Sequence, residues 1–256
     1  MSKLIVIVKT EWIKIRKAKI FIFSIGAMCL LPIVCGIFLM ILLHPEYAAS
    51  TLLMQKAQLV GATDWASYFT LLNEMMSVGG IILFGFFASW IFGREYSDKT
   101  AKDLLALPMP RGFIVCSKYI ALALWCLLLT VIALCVAVLF GLIINPPGFS
   151  LAVLFNGSGV FVISALLTIA LTTPVAFFAS FGKGYLSPVG FILFTILLGQ
   201  LAELLGIGAY CPWAMPAIFA GIAHDTVSIV GYLLFVALVI FGGGATYFWW
   251  RYADQK

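Results

Sequence analysis

Between Lys118 and Lys183 the chain runs through 64 residues without one charged side chain. A soluble core does not absorb such a run, because roughly a quarter of an ordinary globular chain is charged. It is also too long for one membrane crossing, which needs about 20 apolar residues. Asn145-Pro146-Pro147-Gly148 divides it, since two prolines and a glycine make a turn and not a helix interior. Two spans result, 119–144 and 151–181. The same reading elsewhere gives 20–43, 75–93, 185–202 and 227–250. The first of these has 24 residues, whereas a signal-peptide core has about 7–15, so a retained helix is expected. The expected fold is all-α: a single polytopic membrane domain over 1–256 with six transmembrane helices.

Composition agrees, with 64% hydrophobic and 10% charged residues and a mean hydropathy of +1.15. The net charge of +5 gains meaning only when the charges are placed. Six basic residues lie in 1–19, five in 94–118, one at Lys183 and two at Arg251 and Lys256, which makes 14 of the 15 on one side. Only Lys56 falls on the other, beside Glu46, Asp64 and Glu74. The positive-inside rule then puts both termini in the cytoplasm of a bacterial cytoplasmic membrane. Charges sorted by membrane side give no footprint for nucleic acid. The six cysteines include no CxxC pair, and with two histidines a zinc site is not expected.

Two cytoplasmic stretches are more than connectors. In 1–19, Leu4, Val8, Trp12 and Ile15 share a helical face, while Glu11, Ile13 and Lys19 break the pattern. An interfacial helix fits this spacing, and a topogenic leader is the plainer alternative. In 94–118, Ser97 precedes acidic and helix-forming residues as a helix start would. Leu104, Leu105 and Leu107 supply an apolar patch, and Pro108 and Pro110 end the element. Such a charged helix with exposed leucines suits either a docking knob for a soluble partner or a loop resting on the membrane.

The stretch FGREYSDKTAKDLLALPMPRGFIVCSKY, between the second and third spans, resembles the cytoplasmic loop of ABC type-2 transporter permeases. Arg94, Glu95, Thr100, Leu104, Leu105, Pro108, Arg111 and Lys118 match that pattern, and Lys99 stands where glycine is more usual. The basic N-terminal helix and the proline-containing segment around Cys211–Pro216 are also similar to the family, and the similarity is nearest to bacteriocin-immunity and bacitracin-resistance exporter permeases. The resemblance implies a non-enzymatic permease subunit of an ATP-driven exporter, paired with a second permease subunit, same or related. A separate cytoplasmic ATPase carrying ATP and Mg would dock on Arg94, Glu95, Asp98, Lys102, Asp103, Leu104, Leu105 and Arg111. The residues themselves support the need for that partner, because the chain has no G-x-x-x-x-G-K-[ST] loop to cradle phosphates.

Polar groups at the outer ends are the candidates for a substrate path: Glu74, Gln200 and Glu203. Gln200 and Glu203 are three apart and share a helix face. Their plainer reading is that the acids end helices in water. Ala133, Ala137 and Gly141 form a small-residue stripe for close helix approach, and Gly242 with Thr246 another. Either serves a dimer seam or packing within the subunit. Pro174 is expected to kink the fourth span. The apolar segment 204–225 contains Pro212 and Pro216. It is expected to enter the membrane and return, which irregular backbone does only where protein or a water-filled cavity covers it.

Two rival functions fit less well. Asn156-Gly157-Ser158-Gly159 resembles the G-x-S-G of intramembrane rhomboid proteases. However, neither His44 nor His224 is placed to activate the serine. A membrane scaffold or sensor partner without transport is the harder rival to separate: it would tolerate changes in the 95–111 loop without loss of ATPase stimulation, whereas an exporter subunit would not.

Overall fold

The structure, a computed structural model, describes residues 2–44, 63–100, 104, 109–221 and 226–252. Nine α-helices occur among them: α1 (Ser2–Lys17), α2 (Ile20–Leu43), α3 (Trp65–Ser97), α4 (Arg111–Ile144), α5 (Leu151–Ala170), α6 (Thr172–Phe181), α7 (Leu186–Leu204), α8 (Met215–Phe219) and α9 (Ile229–Tyr252). No strand is present in the described residues. Six spans are long and apolar enough to cross a membrane, namely α2, α3, α4, α5 with α6, α7 and α9. The architecture is therefore the expected all-helical, six-span membrane protein.

Helix α3 is the centre of the bundle, packing against α2, α4, α5, α6 and α7. It has 33 residues, and at about 1.5 Å per residue it is longer than the roughly 30 Å of hydrocarbon. The apolar run 75–93 thus understates the helix, and Glu74 lies within it instead of ending it. The extra turns are stabilised by protein. Asp64 caps them, its carboxylate accepting the Ser67 N–H at 2.9 Å, and that bond holds its carboxyl below the usual carboxylate range. Trp65, Tyr68 and Phe69 are all buried. The Tyr68 hydroxyl donates to the Ala137 carbonyl at 2.9 Å, and the Trp65 N–H donates to the Pro147 carbonyl at 3.1 Å. A β-carbon at Gly141 would run into the Trp65 ring, and one at Gly157 into Phe69. The stripe Ala133, Ala137, Gly141 is thereby occupied by α3 of the same chain.

The fourth span breaks at Leu171, three residues ahead of Pro174. Proline has no N–H, so the carbonyl four residues back loses its partner. That carbonyl, of Ala170, accepts instead from the Thr173 hydroxyl at 2.9 Å. Gly242 of α9 lies against the same break, where a β-carbon would sit 2.5 Å from the Pro174 nitrogen. Small residues here bring α9 onto α6 within one subunit.

After α7 the chain turns at Gly206, whose φ of 70° suits glycine. A 3-10 turn, Gly208–Tyr210, and the five-residue α8 follow. No seventh span forms in the described part of 204–225. Met215 and Pro216 are buried, the Pro216 carbonyl accepting the Ser164 hydroxyl at 3.4 Å. Ala202, Cys211, Ala214 and Ile218 make a small second core.

Candidate functional site

The basic residues gather at one end of the bundle, where α1, the end of α3 and the start of α4 meet. Helix α1 buries Ile7, Glu11 and Ile15, with Leu4, Val8 and Trp12 half-buried beside them. Trp12 meets Trp125 of α4 edge-on at 5.7 Å. The packed face contains the four residues that the spacing implied and adds Ile7 and Glu11. Glu11, which breaks the apolar pattern, is on the buried side because α4 brings a cation to it.

That cation is Lys118, whose side chain is fully buried. Its Nζ lies 3.0 Å from Glu95 Oε1 and 3.5 Å from Glu11 Oε2, and donates to the Ile91 carbonyl at 3.1 Å. Lys14 bridges the same two acids, 2.8 Å from Glu11 and 3.1 Å from Glu95. Burial works to lower the Lys14 pKa, but Glu11 and Glu95 outweigh it and raise it. A group so shifted contributes stability fully below the ordinary lysine value of about 10.4. The contribution is lost only as pH rises through the higher folded value, so neutral pH leaves it intact. The Trp250 ring lies 5.9 Å from Lys118 Nζ. It is fixed by its own Nε1–H, which donates to Ser180 at 2.9 Å. Removing one partner of such a buried network typically costs about 3–5 kcal/mol, whereas an apolar set of equal volume is often no less stable.

The network also sets the start of the loop. Helix α3 ends with Lys99 in the left-handed region, φ 57°. The Lys99 N–H donates to the Tyr96 carbonyl at 3.1 Å, and the Thr100 N–H to the Glu95 carbonyl at 2.9 Å. These two bonds make the Schellman ending that glycine favours. The Thr100 hydroxyl then donates to Glu95 Oε2 at 2.7 Å. Ser97 is thus the last residue of α3 and not the first of a loop helix, because the Tyr96 and Glu95 carbonyls close the helix just behind it.

Between α1 and this loop lies a cleft of about 730 Å³. Ile13, Lys14 and Lys17 line it on one side, Arg94, Asp98, Thr100 and Leu104 on the other. Of the residues expected at a docking site, Arg94 stacks over Trp90 at 4.6 Å, Asp98 is exposed, and Leu104 is half-buried against the core. Glu95 reaches the cleft, but its side chain is only 4% exposed and its oxygens are held by Lys14, Lys118 and Thr100. Arg111 is elsewhere, donating to the Arg251 carbonyl at 2.9 Å. Lys102, Asp103 and Leu105 lie outside the described residues. Sequence reasoning did not single out Glu11 and Lys14 as part of the site. The available signal was that Glu11 is the one acid in 1–19, three residues before a lysine.

At the opposite end, Gln200 and Glu203 line a pocket of about 20 Å³ with Ser77 and Trp213, room for about one water. Glu74 is exposed on α3 and does not line it. Ser158 donates to the Leu154 carbonyl of its own helix at 2.6 Å. His44 is exposed at the end of α2, and His224 lies outside the described residues.

The sequence model of the ABC-2 family transporter proteins matches residues 7–199. The chain belongs to that family of transporter permeases. Among characterised relatives it is similar to the bacitracin transport permease protein BCRB of Bacillus licheniformis, at 35% identity over 138 residues. That match spans 53% of this chain and 65% of the relative.

Proposed function

We propose that the chain is the membrane-spanning subunit of an ATP-binding-cassette exporter, and that the cleft between α1 and Asp98, Thr100 and Leu104 receives its ATPase. The cleft carries the proposal. At about 730 Å³ it is large enough for several side chains of a partner. Its lining pairs the apolar Ile13 and Leu104 with cations and an exposed acid, a combination that suits a structured protein surface. In this reading the partner enters a receiving groove, which Lys102, Asp103 and Leu105 adjoin in sequence. The ATPase supplies ATP and Mg, which this chain has no phosphate loop to bind.

The basic end faces the cytoplasm, with both termini there, by the lysine and arginine bias. Helix α1 lies at the cytoplasmic interface, its exposed Ile5 and Val6 turned to the bilayer. The described part of segment 204–225 covers the outer end of the path. Gln200 and Glu203, with Glu74 nearby on α3, line the outward vestibule and help release a hydrophobic or amphipathic substrate. A peptide antibiotic is the substrate class favoured by the similarity to a bacitracin transport permease. A second permease subunit completes the path.

Inside-out vesicles from cells expressing the chain with its ATPase test this reading, using bacitracin as the probe. ATP-dependent accumulation of bacitracin, absent with Leu104→Asp, is the expected result. Equal accumulation with and without ATP would contradict it.

A further inference from the structure

The buried charges do more than fold the basic end. They join α1, α3 and α4, with Lys118 Nζ at the meeting point and Lys14 as a second bridge between the two acids. Lys118 Nζ, on α4, pairs with Glu11 of α1 at 3.5 Å and with Glu95 of α3 at 3.0 Å. On its far oxygen Glu95 holds the Thr100 hydroxyl at 2.7 Å, and Thr100 accepts the Leu104 N–H at 3.0 Å. A continuous polar path thus runs from α1 through Lys118 and Glu95 to the loop, and both walls of the cleft hang from it. Lys118 itself is fully buried and does not line the cleft. An apolar residue there would fill the same space with no desolvation to offset. A buried lysine at that point is explained by a need to fix α1 and the loop to α4 in one geometry.

We propose that Lys118 is a positioning residue for coupling. Through Glu11 and Glu95 it binds the two walls of the docking cleft to the transmembrane helix α4, so that force from the ATPase reaches the bundle. The inference rests on the exporter reading above. It assigns transmission, and not docking, to the Glu11–Lys118–Glu95 set.

The test uses the full chain purified with its ATPase in lipid nanodiscs, and compares Lys118→Met, Glu11→Leu and the double variant. Three quantities are read: monodisperse elution, the amount of ATPase bound, and the stimulation of ATP hydrolysis over the free ATPase. The expected result for each folded variant is parental ATPase binding with stimulation reduced about fivefold or more, the scale of a site-to-site coupling. The double variant should be no worse than the worse single one, because the residues act as a unit. Unchanged stimulation in a folded variant overturns the proposal. So does loss of ATPase binding, which would make the set part of the docking surface. If Lys118→Met does not fold, Glu11→Leu decides alone, since it keeps bulk on the buried face and leaves Lys118 paired with Glu95. Failure of the parent chain to bind any ATPase would be a different result, sinking the exporter reading itself.

Discussion

Lys99 holds a left-handed backbone that glycine favours, as Lys183 also does. Its φ of 57° costs an L-residue about 1–2 kcal/mol, yet two backbone bonds to Tyr96 and Glu95 keep it there. Lys99→Gly is therefore expected to raise stability by roughly 0.5–1 kcal/mol, read as a higher melting temperature in detergent. A lower melting temperature would show that the lysine side chain has a partner of its own. The resemblance of the loop marked this position, since glycine was the residue expected there. The sequence did not reveal Glu11, because hydropathy periodicity sees an acid on an apolar face as a fault. Only the three-dimensional approach of Lys118, 107 positions later, makes that acid a packed residue.

At the scale of elements, the six spans were legible because lipid demands long charge-free runs, and nothing else in the chain competes with that signal. Their ends were less so. Helix α3 passes beyond its apolar run at both ends, where protein and not lipid covers the added turns. The aromatic residues Trp65, Tyr68 and Phe69 find their space in glycines 141 and 157, a pairing that no local pattern encodes. The small residues of α9 give a sharp contrast. Gly242 faces the backbone at Pro174, while a β-carbon at Gly243 would meet nothing within 4 Å. Gly242→Ala is expected to cost about 1–3 kcal/mol through overpacking against rigid backbone. Gly243→Ala should be neutral or gain a few tenths through helix propensity, within the ~1 kcal/mol that separates glycine from alanine. Thermal melting of the two variants checks this, and equal behaviour would mean that α9 does not lie against the break in the fourth span.

For the whole molecule, asymmetry between the two ends is the main result. One end holds a wide cleft over a buried ion network. The other, among the described residues, holds a pocket with room for about one water beside Gln200 and Glu203, and an apolar pocket of about 380 Å³ between α7 and the short turns that follow it. A charged cleft at one end alone fits the proposed permease driven from its basic end. The loop sequence pointed to that end, but the cleft itself was hidden, because one of its walls is α1, some 80 residues earlier in the chain than the loop. The most direct measurement is a mild-detergent pull-down of the tagged chain from its native membrane, with the eluate assayed for ATP hydrolysis. A co-eluting ATPase with a phosphate-binding loop is expected, and it is lost from a folded Leu104→Asp variant. An eluate free of nucleotide-binding protein, or an ATPase retained equally by that variant, would contradict the proposed docking at the cleft.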